Sequence, residues 1–104
     1  MNLKQAAQKV IAQNISVGYT PTRFIQVTEG GNAVNLDEVI SRLVLKAELL
    51  EELERQIKLH PDIITIEDLI AESDDGFGLP EEVIKIAKAR HKYFDMLRKI
   101  YKKF

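Results

Sequence analysis

The stretch LPEEVIKIAKARHKYFDMLRKIYKKF, residues 79–104, decides the fold class. Val83, Ala87, Arg90, Phe94, Leu97, Tyr101 and Phe104 recur at intervals of four and three, flanked by Ile84, Ile86, Met96 and Ile100. That is the period of one helix face and not the alternation of a strand. Pro80 fits the first helical position, where its missing N–H costs nothing, and Glu81 and Glu82 fall at the positive end of the helix dipole. Lysines and arginines gather toward the negative end, and Arg90 alone interrupts the apolar stripe.

Working outward, Ser73-Asp74-Asp75-Gly76-Phe77-Gly78 reads as a loop. Before it, Thr65 caps a short helix with Glu67 and Asp68 in its first turn and Ile66, Leu69 and Ile70 on its buried side. Ile63-Ile64 has strand character, but no second strand-like run exists to pair its backbone. Asn35-Leu36-Asp37-Glu38 opens a central helix, with Asn35 as cap and Glu38 placed to reach back. Leu36, Ile40, Leu43, Ala47, Leu50 and Ile57 form its stripe, widened by Val39, Val44, Leu49 and Leu53. Val44 and Leu45 cannot both face one core, which leaves room for a break near Leu45 and Lys46 in what otherwise reads as one helix. Glu51 with Arg55 and Glu54 with Lys58 form i,i+4 pairs on the outside, and His60-Pro61 ends the helix. At the N-terminus Leu3, Ala7, Val10, Ile11 and Asn14 make a first amphipathic helix that stops near Gly18. Thr20 then caps, and Pro21 starts, a short second helix running to Glu29 that buries Phe24, Ile25 and Val27 or Thr28 and ends at Gly30-Gly31-Asn32. The whole reads as an all-α single domain, a compact bundle of about five helices, two of them short.

Composition narrows the function classes. With 104 residues, 45% of them hydrophobic, the chain has room for one core. The absence of cysteine removes disulfides, thiolate metal sites and cysteine nucleophiles. No apolar run spans a bilayer and Met1-Asn2-Leu3-Lys4-Gln5 lacks a signal stretch, so a cytoplasmic location without membrane contact is the expectation. Net charge is −1, but residues 1–36 carry +2, residues 37–75 carry −8 and residues 80–104 carry +5. The acidic middle and basic end are expected to neutralise each other within the fold, the alternative being that either face meets a charged partner.

No stretch reaches the specificity of a catalytic or cofactor motif. His60 and His91 lack an i,i+4 histidine partner, so His60 reads as a helix-end residue and His91 as a partly buried packing residue, with no metal. Asp74 and Asp75, with Asp68 and Glu72, fail the calcium-loop register and read as solvated acids. Gly76-Phe77-Gly78 lacks the Lys-Ser/Thr of a phosphate cradle; Phe77 is read as folding back on the core or, alternatively, meeting a partner. The second helix, the turn at residues 30–34 and the third helix outline a helix-turn-helix, yet Asp37 and Glu38 would face phosphate, which disfavours DNA reading there.

Three stretches together resemble a small helical domain of uncharacterised bacterial proteins. Gly18-Tyr19-Thr20-Pro21-Thr22-Arg23-Phe24 is similar to a Gly-Tyr-x-Pro-Thr-x-Phe opening, and Thr65-Ile66-Glu67-Asp68-Leu69-Ile70 to a Thr-Val-Glu-x-Leu-Val segment. Glu81-Glu82 through Ala87, Arg90 and Tyr93 is similar to a closing helix of the form acid-acid…Ala-x-x-Arg-x-x-Tyr, while the segment before His60 departs from the pattern. The resemblance implies an all-helical fold and a bacterial or phage origin, and it supplies no activity and no catalytic residues.

The expectation is therefore a non-enzymatic domain that binds a protein, a second copy of itself included, through Phe77, Tyr93, Tyr101 and Phe104, since aromatic side chains dominate such interfaces. The alternative is nucleic-acid binding or regulation through Lys88, Lys92, Arg98, Lys99 and Lys102 of the final helix, residues that by spacing occupy several faces. No cofactor is expected.

Overall fold

The computed structural model describes residues 1–29 and 35–102. Six α-helices follow one another: α1 (Leu3–Ser16), α2 (Thr22–Glu29), α3 (Leu36–Leu45), α4 (Ala47–Leu59), α5 (Ile66–Glu72) and α6 (Glu81–Tyr101), with a 3-10 turn at Gly76–Gly78. There is no strand among the described residues. The count exceeds the expected five because the central stripe does break. Lys46 has extended backbone (φ −78°, ψ 115°), which keeps Val44 fully buried while Leu45 turns to solvent.

Local chemistry explains the helix ends. Asn2 and Gln5 form a reciprocal capping box on α1, and Thr65 and Asp68 form another on α5. Asn35 caps α3 by accepting from the Glu38 N–H, but Glu38 does not reach back: its carboxylate binds Arg42 one turn on. On α4, Lys58 pairs with Glu54 as the spacing predicts, whereas Arg55 takes Glu52, three residues back, in place of Glu51. Pro21 and Pro80 each precede the first helical residue, one position earlier than expected, and their carbonyls accept the N–H of Ile25 and Ile84.

Two apolar clusters hold the helices together. The larger joins Leu3, Ala6 and Val10 of α1 to Ile40 and Val44 of α3, Ile66, Leu69 and Ile70 of α5, and Val83 and Ala87 of α6. Ala6 takes the fully buried place that the sequence pattern assigned to Ile11, which is only half-buried. The smaller cluster joins Ile57, Ile63, Phe94 and Leu97. Helix α2 contributes no fully buried residue; Phe24 rests against the larger cluster from outside. Its Gly30–Asn32 stop lies outside the described residues.

Segment 61–65 needs a partner for its backbone, and a side chain provides one. Buried Asn14 donates from Nδ2 to the Ile64 carbonyl (3.0 Å) and accepts from the Ile64 N–H through Oδ1 (2.8 Å). The amide thus does for Ile64 what a neighbouring strand would have done. The loop before α6 is tighter than it reads in sequence: Gly76, Phe77 and Gly78 all have positive φ (59°, 59° and 71°). Asp75 steadies it, accepting from the Ser73 hydroxyl and the Phe77 N–H, and these bonds hold its carboxyl below the ordinary carboxylate range.

Two glycines separate strain from crowding. A Cβ at Gly76 would lie 2.5 Å from Ile84, whereas one at Gly18 (φ 91°) meets nothing within 4 Å. Gly18→Ala is expected to cost only the left-handed backbone, about 1–2 kcal/mol. Gly76→Ala carries the same strain plus overpacking of about 1–3 kcal/mol. Urea unfolding of both variants checks the order; equal losses would show that Ile84 moves aside freely. Asn14→Ala leaves the part-buried N–H and carbonyl of Ile64 without their partner, and about 1–3 kcal/mol should be lost in the same unfolding measurement.

Candidate interaction face and the buried ionic network behind it

The first turn of α5 places two carboxylates inside the protein. Ile66 and Leu69 commit the helix to the core, and the capping box fixes its entry, so Glu67 and Asp68 are carried in at 2% and 4% exposure. A buried charge needs a counter-charge and hydrogen bonds. Helix α6 supplies both. Arg90 Nη1 donates to Glu67 Oε2 (3.2 Å) while its Nη2 donates to the Lys46 carbonyl at the α3–α4 break (2.9 Å). Two turns on, Arg98 Nη2 donates to Asp68 Oδ2 (2.5 Å) and its Nη1 to Asp95 Oδ1 (2.9 Å). Asp68 Oδ2 also accepts from the Thr65 N–H, and Oδ1 meets His91 Nδ1 at 2.7 Å. His91 Nε2 lies 3.4 Å from Asp95.

This cluster borders a cleft of about 390 Å³ lined also by Lys9, Gln13, Asp62 and Lys102. Asp68, His91 and Asp95 offer ligand atoms within 4.8 Å of one another. The Arg98 guanidinium already lies between the two carboxylates, and the two nitrogens of His91 point to different acids. One ion cannot use both carboxylates and the imidazole without expelling Arg98, so the arrangement is that of a compensated ionic network. His91 is half-buried as expected, but what it touches is ionic.

The network sorts the cations of α6. Arg90 and Arg98 are drawn inward, and Lys102 pairs with Asp62 at 3.0 Å. Asp62, Glu67 and Asp68 thus bring the acidic middle of the chain to its basic end, as the charge distribution leads one to expect. Lys85, Lys88, Lys92 and Lys99 remain exposed, and none has an ion pair among the described residues. Their spacings of three, four and seven put them on one face. The scatter over several faces predicted from sequence came from counting Arg98 and Lys102 with them. Beside this stripe run Ala89, Met96 and Ile100, with Met96 51% and Ile100 46% exposed.

Three of the aromatic residues singled out from sequence rest partly on the core. Phe77 is half-buried against the larger cluster; Tyr93 and Tyr101 are half-buried against the smaller one. Lys58 Nζ sits 5.8 Å from the Tyr101 ring centre. Phe104 lies outside the described residues. Sequence reasoning missed the burial of Glu67 and Asp68, and the signal that could have found it was Arg90: a cation in an apolar stripe requires an acid opposite. Among the described residues no helix is long and apolar enough to cross a membrane. Compared with known proteins, the chain matches no family model, no curated protein and no solved structure.

Burial holds the Glu67 carboxyl above its ordinary value of 4.5, with Arg90 pulling the other way. A raised folded pKa withdraws stability as pH climbs: the penalty is absent below the unfolded value and complete above the folded one. Arg90→Met raises that folded value further by removing the counter-charge. The variant is therefore expected to lose about 3–5 kcal/mol at neutral pH and above. Near about pH 4 the deficit should be clearly smaller, because protonated Glu67 no longer needs its partner. Glu67→Gln, which keeps an acceptor for Arg90, should be much milder. Denaturant unfolding at both pH values is the check, and a pH-independent deficit for Arg90→Met would count against this account.

Proposed function

We propose that this chain is a non-enzymatic protein-binding domain that receives an acidic, amphipathic partner segment on the outer face of α6. The observation that supports it is the single exposed stripe of Lys85, Lys88, Lys92 and Lys99 running beside Met96 and Ile100. Lysines without partners attract negative charge and speed encounter, while the two large apolar side chains add area that gains only when another apolar surface covers it. An acidic segment with leucines or aromatics at helical spacing satisfies both demands. Phe77, Tyr93 and Tyr101 are half-buried against the two clusters, so the proposal rests on the exposed side chains of α6 before those rings.

The second reading, a nucleic acid on the same lysines, is favoured by their falling on one face. It leaves Met96 and Ile100 without a role, since a phosphate backbone offers them nothing. Net charge weighs against it too, being −1 with acids grouped along α4.

Fluorescence anisotropy with a labelled acidic amphipathic peptide and with a short DNA duplex separates the two. Lys88→Glu/Lys92→Glu should weaken the peptide by about tenfold or more, and added salt should weaken it as well. Met96→Ser/Ile100→Ser should weaken the peptide and leave any duplex binding unchanged. Tighter binding of the duplex, indifferent to Met96 and Ile100, would favour nucleic acid and overturn the protein reading.

A further inference from the structure

Away from the Asp68 cluster, a second, partly open cavity of about 550 Å³ lies among α1 to α5. Its walls are Val10 of α1, Phe24 of α2, Leu43 of α3, Leu49 and Leu53 of α4, and Ile64. Phe24, Leu43, Leu49, Leu53 and Ile64 are only partly buried, so among the described residues nothing fully covers this apolar surface. A volume of this size falls within the range of roughly 300–1,000 Å³ typical of small-molecule sites.

The polar groups lining the cavity are unequal in sign. Glu48 and Glu52, one turn apart on α4, and Glu67 at the start of α5 present three carboxylates, against the single guanidinium of Arg23. Arg90 answers Glu67 from the far side. Glu52 is bound by Arg55, but Arg55 is 66% exposed, and a pair so open to water contributes little. Glu48 has no ion pair among the described residues. Tyr19 lines the same cavity, and its hydroxyl is held above its ordinary value by burial and then by the Glu52 carboxylate, against a smaller opposing pull from Arg55. The phenol thus lies close enough to the Glu52 carboxylate to feel its charge, and an aromatic ring is a surface that attracts cations.

From this combination we infer that the cavity binds a small amphiphile with an apolar tail and one ammonium head group, the tail against Phe24, Leu43, Leu49 and Leu53 and the head beside Glu48, Glu52 and Tyr19. With Glu67 compensated by Arg90, an anionic head would still meet Glu48 and Glu52 against the single guanidinium of Arg23, and a neutral one would gain nothing from either acid. The site is separate from the outer face of α6 and does not depend on what binds there.

Calorimetric titration of the whole chain with decyltrimethylammonium, decanoate and decanol, each below its micelle concentration, tests the assignment. Saturable one-to-one binding of the ammonium compound, about tenfold or more tighter than either chain-matched analogue, is the expected result. Glu48→Gln/Glu52→Gln alters two solvent-facing acids and should bring the ammonium compound down to the level of decanol. Amide chemical-shift changes should centre on Phe24, Leu43 and Leu49. Lys88→Glu/Lys92→Glu should bind all three compounds as the parent does. Decanoate binding as tightly as the ammonium compound, equal binding of all three, no saturable binding, or ammonium binding unmoved by the double glutamine variant would each overturn the inference.

Discussion

Arg90 is the side chain on which the architecture turns. It sits in α6 between the two apolar clusters, with Val83 and Ala87 before it and Phe94 and Leu97 after it, and its two terminal nitrogens reach different parts of the chain. One meets the Glu67 carboxylate where α5 begins. The other meets the Lys46 carbonyl where α3 gives way to α4. A planar guanidinium can hold both at fixed directions, which the single ammonium of a lysine cannot. An isolated charge this deep would be prohibitive; a charge shared between a carboxylate and a carbonyl becomes a clamp that sets the angle between three helices. With all its polar partners supplied, the interior leaves no buried side-chain nitrogen or oxygen unbonded among the described residues.

The clamp also decides what the surface looks like. Once Arg90 and Arg98 are committed to Glu67 and Asp68, the cations left on α6 are those that the core does not need. A mixed set of basic residues becomes an ordered stripe, and the exposed character of Met96 and Ile100 beside it follows from the same rotation of the helix. The binding face proposed for α6 is in this sense the outer surface of the ionic network.

Much of the fold was legible because it rests on period and punctuation. The stripe from Val83 to Leu97, the Thr65 cap, the Gly18 stop and the break at Lys46 are local properties, and the structure has them where the spacing places them. What could not be read were pairings over distance. Nothing within a few residues of Asn14 says that its amide serves Ile64, and nothing near Glu67 says that its first-turn position is a buried one; a helix-favoured acid and a core acid look alike in sequence. Arg55 choosing Glu52 over Glu51 is a matter of rotamers on one surface, beyond any spacing rule. For the candidate site the lysines were identified individually, but the face they form was hidden until Arg98 and Lys102 could be subtracted.

The bond pair between Asn14 and Ile64 joins positions separated by 50 residues. Chain closure over such a span is entropically costly and gives no return until both ends are in place. During synthesis, α1 leaves the ribosome with its Asn14 amide unmatched, and although α2 and α3 can meet its apolar face earlier, the amide stays so until more than half of the chain has followed. The bond pair that ties α1 to the segment before α5 therefore belongs to the later events of folding.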